Sequence, residues 1–228
     1  KIYFYDEIKL GLNMSRSRRS DGDLTKTKII EAAGPLIAQY GFAKTANKTI
    51  AKVANVDLAA INYHFDGRDG LYQAVLMEAH AHYLDEQYLL ELVESIYSPE
   101  EKLSLLLETL LHKLTEKDVW HGKVFIRELF SPSEHLLSFI ELTGMRKFFL
   151  IRKLISQVAN LDENDPAVLP CILSVMTPCM MLIIAGPNAQ APEPLKNIAQ
   201  MPLHDLVEHF KKFSLAGLKA ISQSNLKN

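Results

Sequence analysis

The side chains with the most reactive chemistry in this 228-residue chain are eight histidines and two cysteines, and their spacing argues against using them together. His80 and His82 are two apart, so on a helix they point to different faces and cannot share a metal ion. His204 and His209, five apart, are similarly awkward. Cys171 and Cys179 stand eight apart, about 12 Å along one helix, which exceeds any disulfide span. They read as buried thiols of a reducing compartment. The chain has no His-Glu-x-x-His, no Cys-x-x-Cys, no phosphate-cradling glycine loop and no nucleophile elbow. Neither an enzyme nor a cofactor is expected.

What remains is a chain whose elements are built to position contacts. Apolar residues make up 48% and charged residues 23%, a composition that suits a folded globular protein. No stretch approaches the roughly 20 consecutive apolar residues of a membrane span. Residues 1–13, before the candidate start Met14, show neither the apolar run nor the cleavage site of a secretory leader. The cytoplasm is therefore the expected location, with no membrane partner. Charge is unevenly spread. Residues 1–72 carry 11 Lys/Arg against 8 Asp/Glu, and residues 73–228 carry 14 against 19. A basic end on an acidic body suits a protein that presents one end to a polyanion.

Helical periodicity dominates from Leu24 onward, and no segment alternates with period two. The spacing predicts a first helix over about Leu24–Tyr40, stopped by Gly41 and bent at Pro35. Two short helices follow, about Ala46–Val53 with Thr45 as cap and about Leu58–His64 capped by Asp57. Between them Ala54-Asn55-Val56 forms a tight turn in which Asn55 tolerates the left-handed conformation. One long helix is predicted over about Gly70–Ser95, with Gly70 weakening its first turn. Ser98-Pro99-Glu100-Glu101 then starts a Leu-rich helix. Further helices are expected over about Val119–Phe130, Glu134–Val158 (loosened at Gly144), Pro166–Ala185 (kinked at Pro178) and Leu203–Ser222. A proline-rich loop, Gly186–Pro194, precedes the last of these.

A longer helix followed by two short ones joined by a three-residue turn is the minimum for a helix-turn-helix. The residues here are Gly41-Phe42, Thr45, Ile50-Ala51, Ala54-Asn55-Val56 and Ile61-Asn62-Tyr63-His64-Phe65, then Leu71, Tyr72 and Val75. Over about Thr25–Val75 this pattern closely resembles the N-terminal domain of TetR-family regulators. It departs from that pattern at Asn55 for glycine, Asp57 for Ser, Asn62 for Tyr, Arg68 for Lys, and at Gly70. Leu58–Phe65 and Arg127-Glu128-Leu129-Phe130-Ser131-Pro132 are similar to one subgroup of the family. The resemblance implies an all-α protein with a three-helix helix-turn-helix head and a larger helical body for ligand binding and dimerisation. Residues 1–23 would be an extension or arm, 24–68 the head and 69–228 the body.

The expected DNA contacts follow. Ala59, Ala60 and Asn62 lie near the groove-facing side, where an alanine can touch a thymine methyl, and His64 is grouped with them. The resemblance assigns Tyr63 and Arg68 to phosphates, with Thr45 and Lys48 adding contacts from the preceding helix. Arg16, Arg18 and Arg19 form a candidate basic arm. Val56, Ile61 and Phe65 are expected to pack the head. In the body, Trp120, Phe125, Phe148, Phe149, Met176, Met180 and Met181 are candidate liners of an adaptable apolar pocket, or simply core. Arg127 and Arg152 are candidate charges for an anionic ligand, or partners in internal ion pairs. Leu203, Leu206, Val207, Phe210, Phe213, Gly217 and Ile221 read as one stripe for a homodimer interface. The expected partners are thus double-stranded DNA carrying a palindromic operator, a small-molecule effector that releases it, and a second copy of the chain. The alternative is a helical dimeric protein-interaction module that binds no DNA.

Overall fold

A computed structural model describes residues 21–116, 120–185 and 193–225. Arg16, Arg18, Arg19 and positions 186–192 of the proline-rich loop lie outside the described residues. Among those described, the chain forms twelve α-helices and one π-helical turn, with no strand. The head holds α1 (Asp21–Tyr40), α2 (Asn47–Ala54) and α3 (Leu58–Phe65), leading into α4 (Arg68–Tyr83). The body continues with α5 (Glu86–Glu94), α6 (Pro99–Leu114), α7 (His121–Phe130) and α8 (His135–Phe139). After the π turn Ile140–Gly144 come α9 (Met145–Ala159), α10 (Val168–Ala185), α11 (Glu193–Ala199) and α12 (Leu203–Asn225). No described helix is long and apolar enough to cross a membrane.

Local chemistry explains most boundaries. Gly41 closes α1 with φ 84°, and its amide donates to the Ile37 carbonyl at 2.8 Å. Asn55 adopts φ 53°, the left-handed turn expected of it, and the Asp57 carboxylate accepts from the Ala59 amide to start α3. Ser98 and Glu101 form a reciprocal capping box at the start of α6. Buried Lys102 donates to the Val93 carbonyl, capping the negative end of α5.

Three expectations fail for physical reasons. Thr45 does not cap α2: Ala46 holds that position without a side-chain acceptor. The Thr45 hydroxyl is buried and donates back to the Gly41 carbonyl at 2.8 Å, because the carbonyls freed at the end of α1 need a donor. The long helix over 70–95 is two helices. Asp85 ends the first by accepting from the Tyr88 amide, an N-cap for α5, while apolar spacing continues across the break and hides it. A helix not expected, α11, begins at Glu193 at the end of the expected loop and precedes the last helix. The loosening expected near Gly144 takes the form of the π turn.

Two apolar clusters hold the molecule. One, in the head, gathers Ile29, Ala33, Ile37, Ile50, Ile61, Leu71, Tyr72 and Val75, together with Trp120, Val124 and Phe139 from the body. The other fills the body with the leucines of α6 and with Leu154, Ile155, Ile172 and Val175. Helix α4 is common to both, since its start packs the head and Tyr83 packs the body. Trp120 lies so close to Gly34 of α1 that a Cβ there would come within 2.3 Å of the indole.

Polar groups are sealed into the same joint. The Tyr72 hydroxyl donates to Glu128 Oε2 at 2.7 Å. Glu128 Oε1 accepts from the Ser133 amide at 2.8 Å and from its hydroxyl at 2.5 Å. Burial, then the Glu128 bond, pushes the Tyr72 phenol well above its usual value. Nearby, His121 stacks between Trp120 and His82, each at a centroid distance of 4.0 Å. Burial, then His82 and Lys113, pulls His121 down to about 4. Burial first, with Lys147 second, pulls His80 down to about 3.

Two predictions follow from this packing. Helix propensity alone makes Gly70→Ala a gain of about 1 kcal/mol. The new Cβ, however, would stand 1.8 Å from the Phe65 carbonyl oxygen, a backbone atom that cannot move aside alone. The variant should therefore lose about 2 kcal/mol, seen as a melting temperature lower by about 4–8 °C. An unchanged or raised value would refute the close approach. The second prediction concerns acid. A histidine with a depressed folded pKa binds protons more readily when unfolded, so its contribution is complete above about pH 6.5. That contribution is lost as pH falls towards the folded values of about 4 for His121 and about 3 for His80. Urea midpoints should fall between pH 7 and pH 5, before carboxylates titrate, and His121→Phe should flatten the slope. A flat wild-type profile over that range would contradict the assignment.

Candidate nucleic-acid interface

The turn at Asn55 and the cap at Asp57 fix the angle between α2 and α3, and burial decides which side of each faces out. Ile50 and Ala51 anchor α2, while Lys48 and Lys52, one turn apart, stand in solvent. Ile61 is fully buried beneath α3, with Val56 and Phe65 packed beside it. The opposite side of α3 presents Leu58, Ala59, Asn62 and Tyr63, with Tyr63 84% exposed. Ala60 and His64 lie half-buried at its edges, and His64 meets the Tyr63 ring edge-on. One face of a short helix thus offers a small methyl, an amide and a phenol, with two cations beside it on the preceding helix.

Two residues expected at this surface are engaged elsewhere. Thr45 is buried with its hydroxyl turned inward, so it presents no group to a phosphate. The Arg68 guanidinium donates to the carbonyls of Phe42 and Ala43, the latter at 3.1 Å, and lies 4.6 Å over the Phe42 ring. These carbonyls close the α1–α2 connection and need donors, and Arg68, at the start of α4, supplies them. Both bonds come from one terminal nitrogen, and a lysine counterpart would lack the planar guanidinium that lies over the Phe42 ring.

The expected pocket residues separate into three groups. Phe125, Phe148, Met176 and Met180 pack, partly buried, on the body cluster. Trp120 belongs to the head cluster, and Arg127 reaches Gly41 and the Ala38 carbonyl, so both serve the joint rather than a pocket. Phe149 is 51% exposed, and Arg152 donates to the Glu163 carbonyl and the Asn164 side chain on the surface. Met181 is exposed as well. Their stations on α9 and α10 fall one position outside the inward arc.

Sequence reasoning missed a buried cation. Lys147 is 3% exposed, and its ammonium lies 2.9 Å from His80 Nδ1. Burial lowers its pKa, with Asp85 and Glu86 opposing more weakly. Its position was readable, because residues 147, 151, 154 and 155 share one helical face with Ile151, Leu154 and Ile155. Beside Arg146, however, it looks like an ordinary solvated charge. Glu128 was likewise present in a noted motif, but its partner Tyr72 lies 56 residues away.

Comparison with known proteins agrees with this arrangement. The family described as bacterial regulatory proteins, tetR family, matches residues 29–75. The C-terminal domain of the HTH-type transcriptional dual regulator CecR matches residues 99–218. "Probable HTH-type transcriptional regulator YttP" of Bacillus subtilis is 44% identical over 59 residues, 26% of this chain and 28% of that protein. The HTH-type transcriptional regulator AcrR of Shigella flexneri is 30% identical over 103 residues, 44% of this chain and 45% of that protein. The chain thus spans less than half the length of the curated relatives it matches. A crystal structure of the transcriptional regulator FadR from Bacillus subtilis in complex with stearoyl-CoA shares the fold, with a TM-score of 0.64 at 17% identity. That match covers 84% of this chain and 98% of FadR. Head and body together place the chain in a family of regulators, not enzymes: it belongs to the TetR family of transcriptional regulators.

Proposed function

We propose that this chain is a homodimeric, DNA-binding transcriptional repressor of the cytoplasm, released from a palindromic operator by a small molecule. The observation that carries the reading is the division of α3: Ile61 locks one side into the head while Leu58, Ala59, Asn62 and Tyr63 stand free on the other. A recognition helix inserted in the major groove requires that division. In this reading Asn62 reads a base edge, Ala59 and Ala60 allow close approach, His64 flanks them, and Tyr63 and Lys48 hold phosphates. Arg68 acts one step back, by fixing the connection between α1 and α2.

Dimerisation rests on α10 and α12. The stripe read along α12 is in fact two faces. Leu206 and Val207 are buried and Leu203 and Phe210 are partly buried, whereas Phe213, Gly217 and Ile221 face outward. Phe213 is 68% exposed, and a Cβ at Gly217 would meet nothing within 4 Å. Leu169 and Leu173 of neighbouring α10 are also exposed. We infer that these two helices pair with their copies in a four-helix bundle, which places two α3 helices on successive major grooves. Release by a ligand is supported by the shared core, through which α4 reaches both the head and the body. FadR, which has this fold, is described in complex with a small molecule.

Binding-site selection with purified protein tests the DNA reading. The selected site should be palindromic, and binding should weaken steeply as salt rises. Tyr63→Ala should lower affinity for all sequences alike, and Lys48→Ala should reduce the salt slope by about 1. Asn62→Ala should instead cost about 1–3 kcal/mol at one base pair and relax preference there. Failure to select any sequence, with salt-insensitive binding to a protein from the same cells, would favour the interaction module. Phe213→Glu should give monomers by ultracentrifugation and lower operator affinity by more than about tenfold, 1.4 kcal/mol. A wild type that is monomeric at micromolar concentration would overturn the dimer.

A further inference from the structure

Lys147 is the one charged side chain of α9 that points into the body and is almost wholly buried among the described residues. A buried ammonium is costly unless its donors are met, and a neutral imidazole meets only one of them. Among the described residues no carboxylate lies within ion-pair distance of it. The nearest acids are engaged: Asp85 caps α5, and Glu86 lies 3.7 Å from Arg146. His80, its partner, has its ring edge-on to Phe125 at 5.4 Å and to Phe139 at 5.1 Å. His80 and Phe125 are half-buried, whereas Lys147 is almost fully enclosed. The π turn Ile140–Gly144 leads directly into the helix carrying Lys147, and such turns are frequent at functional sites.

These observations converge on one place, where α4, α7, α8 and α9 meet. We propose that the Lys147 ammonium, beside His80, binds the anionic end of the effector, and that the effector is an amphipathic carboxylate whose apolar part lies along Phe125, Phe148, Met176 and Met180. This rests on the reading of the chain as a ligand-responsive regulator and gives that ligand a chemical class. The carboxylate accepts from the Lys147 ammonium and takes the place of the His80 bond. Arg127 and Arg152, the charges expected to meet an anion, are held by carbonyls elsewhere. His80 lies on α4, whose first turns carry Leu71, Tyr72 and Val75 into the head core. A new partner for Lys147 therefore acts on the helix that positions the recognition helices.

Calorimetry on the full-length protein compares decanoate and 2-naphthoate with decanol and 2-naphthol, which keep each apolar group and remove the charge at pH 7. At least one carboxylate should bind more than about tenfold tighter than its alcohol, a difference of about 1.4 kcal/mol. Lys147→Met replaces the ammonium by an apolar chain of similar length. It should abolish that preference while leaving the melting temperature equal or higher, as is common when a buried charge gives way to a hydrophobe. Arg152→Ala should leave the preference intact. Equal binding of acid and alcohol, binding of neither, or a preference that survives Lys147→Met each overturns the proposal. The wild-type comparison decides the charge preference even if the methionine variant fails to fold. DNA release, followed separately by fluorescence anisotropy, distinguishes the two readings. Lys147-dependent binding without release keeps this site and sinks induction. Release by ligands indifferent to Lys147→Met keeps induction and sinks this site.

Discussion

A carboxylate in an apolar joint must be supplied with donors, and in this protein that requirement ties the head to the body. Glu128 is 3% exposed, and both of its oxygens are used, one by the Tyr72 hydroxyl and one by Ser133. These bonds join α4 to α7 and the turn that follows it, across a sequence separation of 56 residues. A hydrogen bond to a charged group typically contributes about 1.5–3 kcal/mol, so the joint has little freedom to slip. Phe42 stacks on Tyr72 at 4.1 Å and His135 meets both rings edge-on, which extends the same constraint to the α1–α2 connection.

From that joint the working parts follow. The head contributes only a small core of its own, and Trp120, Val124 and Phe139 from the body complete it. Its helices are therefore held by the same packing that holds the body, and a change in the body reaches α3 through contacts already made. Helix α4 is the element on which both clusters close. The break at Leu84–Asp85 keeps it short, so a force at His80 bears on a helix anchored mainly at the head end. Close packing has two discrete arrangements more readily than a continuum of them, which suits the ligand response proposed above.

Much of this was legible along the chain. The helix starts at Asp57 and Ser98, the stop at Gly41 and the turn at Asn55 are set by residues within four positions of one another. Their chemistry is local, so the sequence displays it. The helix-turn-helix was recognisable because Gly41-Phe42, Ile50-Ala51, the turn at Asn55 and Ile61–Phe65 together resemble the head of TetR-family regulators. The break at Asp85 shows the limit of that reasoning, because its cap was visible but the apolar period ran through it.

By itself the sequence determined which segments are helical, where most of them begin and end, and that a helix-turn-helix head precedes a larger helical body. These depend on interactions between near neighbours. Only the tertiary structure decided how each side chain is used. Phe210 turns inward and Phe213 outward, though both belong to one apolar stripe. Arg68 and Thr45 serve carbonyls at the end of α1, and Trp120 fills the space above Gly34. Lys147, which looks like a surface charge beside Arg146, is buried against a histidine 67 residues earlier. A helix fixes the angle between its own residues, but only packing against distant segments fixes which angle faces water.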